Sequence, residues 1–174
     1  MIKNVKVLVL ALLFGAASCS FTTNNDDPGK DKVLISLISY VLEKGHYDAK
    51  EFNDEFSEQV FKDFVTALDP LKRYFLLSDI KEFEAYKFQI DDQIRKEDIT
   101  FFDLAYTRLR QRMEESKDVY VDILDKPFDF SEDETIDTDY ENLEYAKNRK
   151  ELKDRWRSQL KFSTIGVYYD RIEE

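Results

Sequence analysis

Two serines stand one helical turn ahead of a lysine, in Ser78-Asp79-Ile80-Lys81 and in Ser158-Gln159-Leu160-Lys161. At that spacing the amine can draw the proton from the serine hydroxyl, the activation that nucleophilic acyl transfer needs. With 10 Ser and 17 Lys among 174 residues, about one such pair arises by chance. The Ser-Asp-Asn and Lys-Thr-Gly motifs that accompany the pair in penicillin-binding enzymes are absent, and Ser78 is better explained as a helix cap. His46, the single histidine, is a general-base candidate, but it follows Gly45 in an expected exposed turn with no nucleophile patterned around it.

Metal and phosphate chemistry are equally poorly supplied. One Cys and one His cannot furnish a zinc site, and no disulfide can form within the chain. Asp137-Thr138-Asp139-Tyr140-Glu141 starts like a calcium loop, yet Asn142 stands where the loop requires Gly, and Asn148 where it requires a bidentate Glu. Paired carboxylates for glycoside hydrolysis need a separation that the sequence does not show, and no pair stands out. No two of the four glycines lie close enough to cradle a phosphate. We therefore assign no catalytic, cofactor-binding or metal-binding residue. A net charge of −11, from 37 acidic and 26 basic residues, argues against nucleic acid as a partner.

Cys19 has a different setting. Lys3 and Lys6 precede the apolar run from Val7 to Phe14, and Gly15-Ala16-Ala17-Ser18 leads small residues up to the cysteine. This is the order of an export signal, too short to span a membrane as a permanent anchor. The small residues ending at Cys19 are similar to a bacterial lipobox, with Ala16 where Leu is commoner. The expectation is a lipoprotein signal over residues 1–18, lipidation at Cys19 and a flexible tether over 19–30. Ordinary cleavage after Ala17 or Ser18 is the alternative. Removal of the two leader lysines would leave 24 basic residues against 37 acidic.

The remaining residues, 31–174, must position whatever the chain presents, and their periodicity is helical. One domain fits the length, at about 100 to 200 residues per domain, and few Gly and Pro beside 36% charged residues suit long helices. The expected fold is all-α, about five helices with one extended acidic excursion. Val33, Leu34, Leu37, Ile38, Val41 and Leu42 share a face of a helix over 31–44 that Gly45 would close. Asn53 caps a second, with Phe56, Val60, Phe64, Val65 and Leu68 in register until Asp69-Pro70. A third begins at Ser78 or Asp79 and carries Ile80, Phe83, Tyr86, Ile90 and Ile94. Thr100 with Asp103 forms a capping pair for the longest helix, whose expected face is Phe102, Ala105, Leu109, Met113, Ser116, Tyr120 and Ile123, stopped by Lys126-Pro127. Residues 129–144 lack helical period and should cross the surface extended. A last helix from near Lys147 carries Leu152, Trp156 and Leu160, and Val167, Tyr168 and Ile172 continue its apolar pattern.

Two blocks carry a resemblance. Leu68-Asp69-Pro70-Leu71-Lys72-Arg73-Tyr74-Phe75-Leu76, with Ser78-Asp79-Ile80 and Phe83, resembles the N-terminal domain of tail-specific, or carboxy-terminal processing, serine proteases. Lys126-Pro127-Phe128-Asp129-Phe130, Asp133-Glu134, Trp156-Arg157 and Lys161 follow in that family's order, and the lipobox-like start is most similar to lipoprotein versions from Bacteroidetes-type bacteria. The resemblance implies a PDZ domain and a peptidase core with a Ser-Lys dyad beyond this domain, so no residue here inherits a catalytic role. It further implies a helical module in the cell envelope or periplasm that packs around the protease and docks protein substrates or an envelope adaptor, held to the membrane through Cys19. A free-standing acidic lipoprotein that binds a protein partner is the other reading.

Overall fold

The computed structural model describes residues 28–45 and 51–173. Six α-helices lie among the described residues, with no strand longer than a single bridge. Residues up to Leu34 form one unit, of which the start of α1 is described, and Ile35–Glu174 form the other. Helix α1, Pro28–Tyr40, begins three residues earlier than expected, inside the supposed tether, and widens into a π-turn at Val41–Gly45. No described glycine has a positive φ, so Gly45 does not form the left-handed cap its position suggested. The aliphatic face of α1 is exposed at Val33, Leu34, Leu37 and Ile38.

Helix α2, Asp54–Leu68, forms as its sequence dictates: the Asn53 Oδ1 accepts from Phe56 N at 2.9 Å, and Asp69 ends it before Pro70. Its buried stripe is Ser57, Phe61 and Val65, with Val60, Phe64 and Leu68 alongside. The expected third helix is two. Helix α3, Leu77–Phe83, tightens into a 3-10 turn at Glu84–Tyr86, and helix α4, Ile90–Arg95, starts afresh. The break lets Phe83, Tyr86 and Ile90 all join one core while the Asp91 N–H donates to Ser57 Oγ (2.9 Å) and Ser57 Oγ donates to Asp91 Oδ1 (2.7 Å). A straight helix could not make both sets of contacts, so tertiary packing overrides the local period.

Helix α5, Thr100–Leu124, buries or packs Ala105, Leu109 and Ile123 of its expected face but is turned away at the other aromatic and Met positions. Phe101, not Phe102, is buried, stacked on Phe61 (5.4 Å between centroids) and Tyr86 (5.7 Å) and edge-on to Phe64 and Phe83. Phe102 lies outside against Tyr106, and Met113 and Tyr120 are exposed. The expected Thr100–Asp103 capping pair does not form. Asp98 Oδ1 accepts from the Thr100 N–H and hydroxyl, and Gln93 Oε1 takes the free N–H of Phe101 at 3.1 Å. Residues 125–148 run without a helix, as their aperiodic acidic sequence predicts, and helix α6 spans Arg149–Glu173. Phe61, Val65, Phe75, Phe83, Ile90, Phe101 and Ala105 are the buried core, each large apolar side chain worth about 1.5–3 kcal/mol on burial.

Candidate functional site

Residues 69–76, between α2 and α3, wind around a buried carboxylate. Pro70 ends α2 and Asp69, 1% exposed, turns inward. Its Oδ1 accepts from Arg73 N (2.7 Å), and its Oδ2 from Tyr74 N and Phe75 N (2.9 Å each). Three amides that a loop would leave without partners are thus paired to one charge. Lys72 takes a left-handed φ of 50°, at a cost of roughly 1–3 kcal/mol for a residue with a Cβ. Its ammonium offsets that by donating to the carbonyls of Glu141 (3.2 Å) and Leu143, and it sits 5.1 Å over the Tyr145 ring. Burial, with the nearby Asp69 charge, pushes the Tyr145 phenol up to about 12.

One face of α6 reads the backbone of this loop. Arg155 donates to Lys72 O (3.1 Å), Trp156 Nε1 to Arg73 O (2.7 Å) and Gln159 Nε2 to Leu71 O (3.3 Å), while Arg73 Nε returns a bond to Gln159 Oε1 (2.6 Å). Leu77 N donates to Ala146 O at 2.9 Å beside the Leu76–Ala146 bridge, tying in the end of the excursion.

A second buried carboxylate holds α3 to α5. Asp79 is fully buried; Oδ2 accepts from the Leu76 N–H and Arg112 Nε (2.9 Å each), and Oδ1 from Arg112 Nη2 (2.8 Å) and Arg108. Burial alone would raise its carboxyl, but Arg112, the Leu76 amide and Arg108 outweigh it and hold it below the ordinary range. Asp79, rather than the exposed Ser78, therefore caps α3.

The excursion is clamped to α6 by Glu134. Its Oε2 accepts from Arg157 Nη1 (2.9 Å) and its Oε1 from Nη2 (2.6 Å), with Lys161 Nζ 3.3 Å from Oε1. The Arg157 hydrogen bonds, helped by Lys161 against the cost of desolvation, draw the Glu134 carboxyl down to about 2. Lys161 is 6% exposed, lies 5.7 Å from the Phe130 ring centroid, and is not aligned for a hydrogen bond with any acceptor. Between this clamp and the end of α6 opens a groove of about 560 Å³, walled by Phe130 and Ile136 on one side and by Phe162, Ile165, Tyr168 and Tyr169 on the other.

The sequence candidates scatter over this frame. Ser78 and Lys81 are exposed on α3. Ser158 and Lys161 both line the groove, but Lys161 Nζ hydrogen-bonds no hydroxyl, so this pair is not joined as an activated nucleophile and its base. Asp137 and Asp139 accept from Asp139 N and from the Asn142 amide groups, as turn-forming carboxylates, and no metal-holding cluster occurs among the described residues. Cys19 and His46 lie outside the described residues. Sequence reasoning missed Arg108 and Arg112, which sit on what reads as the polar side of α5, and Gln159, whose burial no period announces.

Both blocks that carry the resemblance are thus structural assemblies mounted on α6. The family model for the Tail specific protease N-terminal domain matches residues 38–173. The chain is also 27% identical, over 127 residues, to the Tail-specific protease of Haemophilus influenzae, an alignment that covers 72% of this chain and 18% of that relative. The chain thus matches less than a fifth of the length of that relative. It belongs to the tail-specific protease N-terminal domain family.

Proposed function

From that membership we propose that the chain is the noncatalytic helical module of an exported carboxy-terminal processing serine protease, serving to scaffold the enzyme and to dock substrate or regulator proteins. One observation carries the reading. The residues most characteristic of the resemblance, Asp69 to Phe75 on one side and Glu134, Arg157 and Lys161 on the other, make internal bonds that fix two irregular segments on a single helix. Such an arrangement builds a fixed surface and engages these side chains in structural bonds rather than in activating a nucleophile. Proteolysis would then belong to the rest of the enzyme. The coding sequence beyond the codon for Glu174 tests this: an in-frame peptide-binding domain and a serine peptidase are expected, and a stop codon in an intact locus would shift the reading to a free-standing binding lipoprotein.

The module works in the cell envelope, on this reading, tethered by lipid at Cys19. One acyl chain holds a protein to a bilayer marginally and several hold it stably, so Cys19→Ser should move the protein from the membrane fraction to the soluble one or leave it unprocessed. Mass spectrometry that finds an unmodified mature terminus at Ser18, Cys19 or Ser20 would refute the anchor.

A further inference from the structure

We propose that the groove between the acidic excursion and the last turns of α6 docks a segment of a partner protein that carries apolar side chains flanked by lysine or arginine. The inference rests on the docking role proposed above and names the chemistry of what docks. Three features of the groove point to that occupant. Its volume is within the usual range for binding sites, about 300–1,000 Å³. Its walls are aromatic and aliphatic yet open: Phe130, Phe162, Tyr168 and Tyr169 are all more than half exposed. Contiguous apolar surface of this kind, rimmed by charge, marks interaction sites, and aromatic side chains are the usual anchors.

The charge of the rim selects the sign of the partner. Residues 129–144 hold eight carboxylates and no Lys or Arg. Among the described residues only Glu134 of the eight lies within ion-pair distance of a base, where Arg157 and Lys161 both meet it. Glu132, which lines the groove, and Asp133 beside it in the chain are not ion-paired and present negative charge to whatever enters. An anionic segment or an anionic lipid surface would be repelled, while a cationic one gains encounter rate and register.

Fluorescence anisotropy on the full chain tests the proposal with two labelled peptides, one with leucines at helical spacing and lysines between, the other with glutamates in place of the lysines. The lysine peptide should bind and weaken as salt is raised, with the glutamate peptide at least about tenfold weaker. Ile165→Asp, with Tyr168→Ser as a second variant should the first fail to fold, should cost roughly tenfold, as should the pair Glu132→Lys and Asp133→Lys. The pair Glu55→Lys and Asp118→Lys, exposed on α2 and α5, makes the same change in net charge and should cost less than about twofold. Equal affinity for the two peptides would overturn the proposal. So would groove and control variants that weaken binding alike, which would reveal attraction to net charge alone, or a self-association abolished by Ile165→Asp, which would make a second copy the occupant. None of these outcomes depends on what the gene encodes beyond Glu174, so the docking chemistry and the protease reading fail separately.

Discussion

Replacing Asp69 with Asn changes one atom and should loosen the whole loop. The buried carboxylate accepts three backbone N–H bonds, one on Oδ1 and two on Oδ2. An asparagine keeps one acceptor oxygen. If that oxygen takes the Oδ2 place, its amide nitrogen meets the Arg73 N–H as donor against donor, and the two remaining bonds lose their charge. A hydrogen bond to a charged group contributes about 1.5–3 kcal/mol, and a buried amide left without an acceptor costs about 1–3 kcal/mol. The expected loss is therefore roughly 2–4 kcal/mol, out of a typical domain stability of about 5–15 kcal/mol. At about 2–4 °C per kcal/mol for a chain of this size, the thermal midpoint should fall by roughly 5–15 °C. Trp156 is the chain's single tryptophan and donates its indole N–H to the Arg73 carbonyl, so its emission reports on the loop directly. Asp69→Asn should red-shift that emission in the folded state while circular dichroism still shows helix. A midpoint within about 1 °C of wild type, with unchanged tryptophan emission, would refute the account of the loop as wound on that carboxylate.

Three further outcomes follow from the same contacts. Trp156→Ala should lower the midpoint through lost packing on Tyr74 (5.9 Å between centroids) and the lost bond to Arg73, by less than the roughly 3–5 kcal/mol of a fully buried aromatic because Trp156 is only partly buried; a denaturant titration measures it. Ser57→Ala removes both hydrogen bonds that join α2 to α4 and leaves the Asp91 amide unpaired, an expected loss of about 1–3 kcal/mol by the same titration. Acid should destabilise the fold: the Asp79 and Glu134 carboxyls are depressed in the folded state, so their contribution is complete above the ordinary carboxylate range near 4 and is lost as pH falls, for Glu134 toward about 2. Stability that is flat from pH 6 to pH 2 would contradict this.

How far the sequence reveals the molecule depends on whether a residue's partner is near in the chain. Asn53 and the turn at Asp69-Pro70 act within four residues, and both were legible: α2 starts and stops where they say. The aperiodic excursion was legible for the same reason, since nothing in residues 129–144 can bury a helical face. The break between α3 and α4 was not, because Ile80, Phe83, Tyr86, Ile90 and Ile94 satisfy one period and only the distant Ser57 and Phe101 decide that the chain must bend. Choosing Phe102 over Phe101 as the buried residue has the same origin. Adjacent aromatics fit neighbouring faces of the same helix, and the arginines that fix its rotation, Arg108 and Arg112, read as solvent-facing until Asp79 is seen beneath them.

The candidate site shows the converse. The blocks that resemble the family were legible as a pattern before their bonds were, and the structure explains why those residue types recur there. A carboxylate at position 69 can accept three amides only because Pro70 turns the chain out of the helix, and the resulting loop exposes its carbonyls to Arg155, Trp156 and Gln159. Glu134 pins a segment that has no secondary structure of its own, and it does so with two cations on one helix four residues apart. Removing the Asp69 carboxylate leaves three backbone amides without their acceptor, which costs more than the bonds contribute, whereas Glu134 and Arg157 meet at the surface, where losing one partner costs little. The recurrent charged residues are thus best read as the means by which two irregular segments are held at fixed positions on α6. The apolar groove beside Glu134 is the surface which that arrangement leaves open.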